Sequence, residues 1–144
     1  MILVDANLLI YAQVEGSRQH VPARDWLNAR LNGSAPVGLP WHSILGYLRI
    51  VTNPRIVQSP VSVGDAWAVV QYWLECPPVW IPQPTERHRE TLGGLIESVE
   101  PSGNLIPDTF LAALAIEHGL TLCSADGDFA RFPALRYENP LAPR

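Results

Sequence analysis

Met1-Ile2-Leu3-Val4-Asp5-Ala6-Asn7-Leu8-Leu9-Ile10-Tyr11-Ala12 opens the chain, and its reading decides the fold. Four apolar residues, two of them β-branched, run unbroken up to Asp5. A short run of this kind predicts a buried strand with parallel neighbours. Leu8-Leu9 and Tyr11-Ala12 then recur at helical spacing, so Asp5 falls in the turn between a strand and a helix. Two roles suit an aspartate there. It can cap the helix by accepting from the first free backbone N–H groups. It can also be a functional acid, because open α/β sheets gather their ligands outside the C-terminal ends of the strands. This stretch leaves both open; what separates them is whether other carboxylates reach equivalent places.

Outward from that stretch, apolar segments of two periods alternate. His20 to Leu31 reads as a helix stopped by Asn32-Gly33-Ser34, and Val37-Gly38-Leu39 as a short strand between prolines. Trp41 to Val51 reads as an apolar helix ended by Thr52-Asn53-Pro54, since the residue before a proline is pushed out of the helical region. Ser62 caps a helix through Leu74, Val79-Trp80-Ile81 is a strand, and a helix opening near Thr85 runs to Val99 with Gly93-Gly94 weakening its interior. Pro107-Asp108-Thr109 starts the clearest helix, Phe110 to His118, closed by Gly119. Leu120 to Cys123 is a strand leading into Ser124-Ala125-Asp126-Gly127-Asp128. A short turn or helix at Phe129 to Pro133 and an edge strand at Leu135-Arg136-Tyr137 follow. Alternating strands and helices with no repeat and no linker predict one α/β domain, residues 1–144, with a mostly parallel sheet.

The bulk numbers narrow the function. An apolar share of 47% with 17% charged residues is globular, and no apolar run approaches the ~20 residues of a membrane span. No basic segment precedes the N-terminal run and Asp5 interrupts it, which predicts a cytoplasmic chain with no signal peptide and no membrane partner. Cys76 and Cys123 lack metal spacing and are expected to be buried free thiols. A net charge of −4 argues against a broad phosphate-binding surface, though not against a small acidic site acting on phosphate. All ten basic residues other than histidine are arginine; there is no lysine.

Seven of the fourteen acids, Glu117 among them, fall on helices and are expected to form solvated faces. Asp5, Asp108 and Asp126 differ, each lying beside an apolar segment at a strand end or helix start. Taken singly, Asp108 is explained by the helix macrodipole and Asp126 by an Asp-Gly turn. Three such acids around one short sheet repel one another and need a cation to stay ionised together. Hard oxygen ligands with open positions suit Mg²⁺, with Mn²⁺ as the substitute, and the matching chemistry is phosphodiester hydrolysis by a metal-activated water. The histidines His20, His42, His88 and His118 stand at unrelated spacings and are assigned to surface or core, His118 as a cation on the C-terminal dipole.

Across nearly its whole length the chain resembles the PIN-domain proteins, specifically VapC-type toxin ribonucleases of toxin–antitoxin pairs. The matching pieces are Val4-Asp5-Ala6-Asn7-Leu8-Leu9-Ile10-Tyr11-Ala12, Leu48-Arg49-Ile50-Val51-Thr52-Asn53-Pro54-Arg55, Asn104-Leu105-Ile106-Pro107-Asp108 and Ser124-Ala125-Asp126-Gly127-Asp128-Phe129. The resemblance implies a PIN-like three-layer α/β/α sandwich with a short, mostly parallel central sheet. It further implies Mg²⁺-dependent endoribonuclease activity, a homodimer, and a cognate VapB-type antitoxin. By position it makes Asp5, Asp108 and Asp126 the catalytic and metal-binding acids, adds Asp128 as a fourth ligand, and gives Asn7 and Ser124 supporting polar roles. One departure stands out: Gly46 occupies the place of the family's glutamate on the helix before Leu48-Arg49, which leaves three or four carboxylates with water in the missing place. The alternative is a PIN-fold protein that binds antitoxin or RNA without cutting it.

Receiver domains and haloacid-type phosphatases also put an aspartate after the first strand, but both rely on a lysine this chain lacks. RNA contact falls to local arginines: Arg18, Arg49, Arg55, Arg87, Arg89 and Arg131 are the candidates, with Arg49 equally suited to pairing with a buried acid. Trp41, Trp67 and Trp73 are candidates for core or for partner surfaces.

Overall fold

A computed structural model describes residues 1–143; Arg144, the last residue of the expected domain, lies outside them. Ile2–Val4 (β1) sits at the centre of a sheet, between Val37–Gly38 (β2) and Thr121–Cys123 (β4). Val79–Trp80 (β3) and Tyr137–Glu138 (β5) form the edges, so the order among the described residues is β3-β2-β1-β4-β5. Every pairing is parallel, with Leu3 opposite both Gly38 and Leu122, Gly38 opposite Trp80, and Leu122 opposite Tyr137.

Such short strands make few ladder bonds, so the layers around them hold the molecule together. Successive strand residues point to opposite faces. Leu3 and Leu122 enter one core while Val4 and Cys123 enter the other. Helices Ala6–Gln13 (α1), His20–Leu31 (α2), Trp41–Val51 (α3) and Val63–Glu75 (α4) cover the Val4 face with Leu8, Leu27, Ile44, Tyr47 and Trp73. Helices His88–Val99 (α5) and Leu105–His118 (α6) cover the other face with Leu95, Leu111 and Leu114, joined by Phe129 and Phe132 from beyond β4. The result is a three-layer α/β/α sandwich. Each large side chain sealed into a core contributes about 1.5–3 kcal/mol.

The structure corrects several expectations. Helix α6 begins at Leu105, two residues earlier than Pro107, because Leu105 and Ile106 donate back to the carbonyls of Ser102 and Gly103. Pro107 is tolerated there since first-turn N–H groups have no intrahelical partner. Asp108 therefore rides on the body of the first turn. Helix α5 runs unbroken through Gly93-Gly94. The last strand shifts to Tyr137–Glu138, because Leu135 turns inward against the second core. Trp73 is buried edge-on to Tyr47 with ring centroids 4.9 Å apart, whereas Trp41 and Trp67 stay 40% and 39% exposed. Cys123 is buried, but Cys76 is only half-buried, and both are free thiols. Among the described residues no helix is long and apolar enough to cross a membrane.

Candidate active site

Chain direction out of β1 reverses between β2 and β4, so β1 and β4 border the crevice where α/β sheets bind ligands. Asp5 leaves β1 in an extended conformation, its N–H bonded to the Cys123 carbonyl at 3.0 Å. Its Oδ1 accepts from the Ala6 N–H at 2.7 Å, so it does cap α1. Its Oδ2 accepts from the Ser124 hydroxyl at 2.7 Å. Buried Ser124 in turn accepts from Asn7 Nδ2 and from the Asp126 N–H, both at 3.0 Å. A hydroxyl has one proton and two lone pairs, so Ser124 is fully used. Asn7 closes the ring by accepting from the Ala125 N–H at 3.2 Å. Asp126 caps the 3-10 turn Gly127–Arg131 by accepting from the Asp128 N–H at 2.9 Å. The turns after β1 and β4 are thus tied together with Asp5 and Asp126 on the same rim.

Asp108 reaches this rim from α6, and electrostatics report the gathering. Burial pushes its carboxyl up to about 6, and the charges of Asp5, Asp126 and Asp128 push the same way. Burial also raises Asp5; Asp126 adds to this, while the bonds from Ser124 and Ala6 and the nearby His42 oppose it. Burial, then Asp126 and Asp5, raise the Tyr137 phenol, which donates to the Ser124 carbonyl at 3.3 Å. Among the described residues no three His, Cys, Asp or Glu side chains stand close enough to enclose a metal ion. What the rim does offer is an all-oxygen, partly desolvated, like-charged set. The charge of an oxygen-seeking divalent cation would offset the repulsion that adds to the effect of burial on Asp108.

Helix α3 forms the third wall. Its Ser43 hydroxyl, fully buried, donates to the Val4 carbonyl at 2.6 Å and pins the helix to the end of β1. Gly46 faces α1: a Cβ there would stand 3.0 Å from the Cβ of Ala6. Gly46 thus lets α3 approach α1 closely, at the position where the family's glutamate was expected. One turn earlier His42 lies near Asp5; burial lowers its pKa and the Asp5 charge opposes that. Sequence reading assigned His42 to surface or core and gave Ser43 no role, since nothing in their local sequence marks either one.

Glu117 is the largest miss. Its side chain is fully buried, accepting from the Thr85 N–H at 2.8 Å, the Thr85 hydroxyl at 2.6 Å and the His88 ring. Burial alone would raise Glu117; the bonds from Thr85 and His88 outweigh it and hold the carboxyl below its ordinary value. The available signal was its spacing, since Ala113 and Leu114, four and three residues back on the same helix face, are both fully buried. Arg18, Arg49, Arg55, Arg87, Arg89 and Arg131 are all exposed. Arg87 is spent on the Glu117 carbonyl at 3.0 Å, and Arg49 pairs with no acid among the described residues.

The model of the PIN domain family matches residues 2–135. Ribonuclease VapC43 of Mycobacterium tuberculosis is 40% identical over 141 residues, covering 98% of this chain and 96% of its own. Ribonuclease VapC33 of the same organism is 38% identical, covering 98% and 99%. Among solved structures, VapBC2 from Rickettsia felis bound to a promoter DNA fragment aligns with a TM-score of 0.69 at 19% identity, over 96% of this chain and 98% of that one. VapC20 of Mycobacterium tuberculosis, a toxin cleaving the Sarcin-Ricin loop, aligns with a TM-score of 0.65 at 16% identity, over 94% and 99%. The chain belongs to the PIN-domain family, among its VapC-type members.

Proposed function

We propose that this chain is the toxin of a toxin–antitoxin pair, a Mg²⁺-dependent endoribonuclease acting on cytoplasmic RNA and restrained by a VapB-type antitoxin. The gathering of Asp5, Asp108, Asp126 and Asp128, whose charges add to the burial that lifts Asp108 to about 6, carries this reading. The ribonuclease names of its relatives and the VapBC complexes among its structural neighbours support it. Asp5, Asp108 and Asp126 would hold the cation, with Asp128 assisting from the turn beyond β4. A bound Mg²⁺ supplies an activated water and charge neutralisation at the phosphoryl group. Ser124 fixes one oxygen of Asp5, and Asn7 fixes Ser124. Of the six candidate arginines, Arg18, Arg49, Arg55, Arg89 and Arg131 make no ion pair among the described residues and are available to meet phosphate. The exposed apolar face of α3, with Trp41 at 40% and Leu45 at 62%, suits a homodimer interface.

Asp108→Asn and Asp5→Asn should each abolish cleavage of cellular RNA in Mg²⁺ or Mn²⁺. In the unmodified chain Mg²⁺ should raise the thermal unfolding midpoint, and the variants should lose that rise. Cleavage surviving in both variants would sink the assignment. The packing of Gly46 against Ala6 favours a second reading, binding of RNA or antitoxin without cleavage, because α3 cannot bring a carboxylate to the site from that position. RNA left intact under every metal condition selects that reading.

A further inference from the structure

Helix α3 meets the acidic rim with Gly46, which has no side chain to offer, and with His42 four residues earlier on the same helix face. The other three histidines are committed to the fold. His20 is bonded to the Tyr11 carbonyl, His88 to Glu117 and His118 to the Gln83 carbonyl. His42 is not: among the described residues its ring makes no hydrogen bond, and its Nδ1 is buried without a partner. A buried polar atom left unpaired costs its full desolvation, so it asks for an explanation.

The ring is nevertheless held in place. It packs against Phe110 of α6 with centroids 5.5 Å apart, and the far side of the network is His88 on the same Phe110 at 5.4 Å. Phe110 lies two residues beyond Asp108, so the ring is fixed beside the helix that brings that acid. Of the two ring nitrogens, only Nδ1 is sealed from solvent, and the residue as a whole is partly exposed. A neutral imidazole bears one proton, and an unpaired buried acceptor costs less than an unpaired buried N–H. The proton therefore belongs on Nε2, the accessible nitrogen. The neighbouring functional groups are carboxylates, which repel a phosphodiester; a fixed N–H among them is what an approaching phosphate lacks.

We propose that His42 is a substrate-binding residue of this site, donating an imidazole N–H to a non-bridging phosphate oxygen of bound RNA. The proposal rests on the ribonuclease reading and extends it to a contact made from α3. The test uses the full chain with Asp108→Asn to block cleavage, and fluorescence anisotropy of a labelled mixed-sequence hairpin RNA in Mg²⁺. Adding His42→Phe, which keeps a ring but no N–H, should weaken binding about tenfold, the loss of one hydrogen bond to a charged group. His42→Gln, which places an N–H near Nε2, should restore most of it. Neither variant should lower the thermal unfolding midpoint below that of the parent. In the cleaving chain His42→Phe should raise KM in proportion. Equal affinity for His42→Phe and its parent, or equal loss in His42→Phe and His42→Gln, overturns the proposal. Its failure is separable from that of the ribonuclease reading: a chain that binds RNA and never cuts it refutes the second, while the affinity series still decides the first. A parent that binds no RNA refutes both.

Discussion

Asp108 is the residue in which the cost of the site is most visible. Its carboxyl sits at about 6 against an ordinary 3.8, through burial first and three neighbouring acids second. Between those two values the folded chain holds the proton more tightly than the unfolded chain, so this group's contribution to stability falls as pH rises through the window. Below 3.8 both states are protonated and the effect vanishes; above about 6 the penalty is complete. Asp108→Asn removes it. Without divalent cation, that variant should be more stable than the parent at pH 7.5 by on the order of 1 kcal/mol after solvent screening. The gain should shrink to nothing as the pH is lowered to about 4, as read by urea unfolding across the pH series. A gain independent of pH would show that Asp108 carries no such strain. The sequence marked Asp5, Asp108 and Asp126 because strand ends and turn residues punctuate the chain locally. It could not name the partners of Glu117 or His42, because Thr85, His88 and Phe110 arrive from distant segments of the chain.

Helix α3 sets how closely the layer on the Val4 face approaches the site. Ser43 fixes its start to β1 and Gly46 brings its middle against Ala6, directly after the capping Asp5. Two effects then compete at position 46. Alanine gains about 1 kcal/mol over glycine in a helix interior, but its Cβ would meet that of Ala6 at 3.0 Å, which forces the helices apart by a few tenths of an ångström. Gly46→Ala alone should therefore leave stability almost unchanged, whereas in an Ala6→Gly background it should stabilise by about 1 kcal/mol, a coupling that a double-mutant cycle isolates. Additive effects would mean that the contact is idle. The bounds of α2 and α3 were legible from Asn32-Gly33 and Thr52-Asn53-Pro54, since those stops act through the local backbone. The start of α6 was not, because a proline is allowed at any position of the first turn and so does not fix which one it holds.

At the scale of the molecule, alternation of strand and helix was enough to read the layered parallel architecture, for each apolar run must bury its face against a neighbour. Which apolar residues stay outside was not readable, because Trp41 and Trp73 carry the same side chain on similar helices and only packing distinguishes them. Trp41 and Leu45 stand one turn apart on α3, 40% and 62% exposed, with Arg49 exposed one turn further. An apolar step of that kind would suit a second copy of the chain. Leu45→Glu puts a charge at the most exposed apolar position of that stripe. Light scattering should find the unmodified chain at twice the 15.9 kDa of one copy and Leu45→Glu at the mass of one copy, with an unchanged circular dichroism spectrum. A single-copy mass for the unmodified chain, or a dimer that survives Leu45→Glu and Trp41→Glu together, would remove α3 as the joining surface.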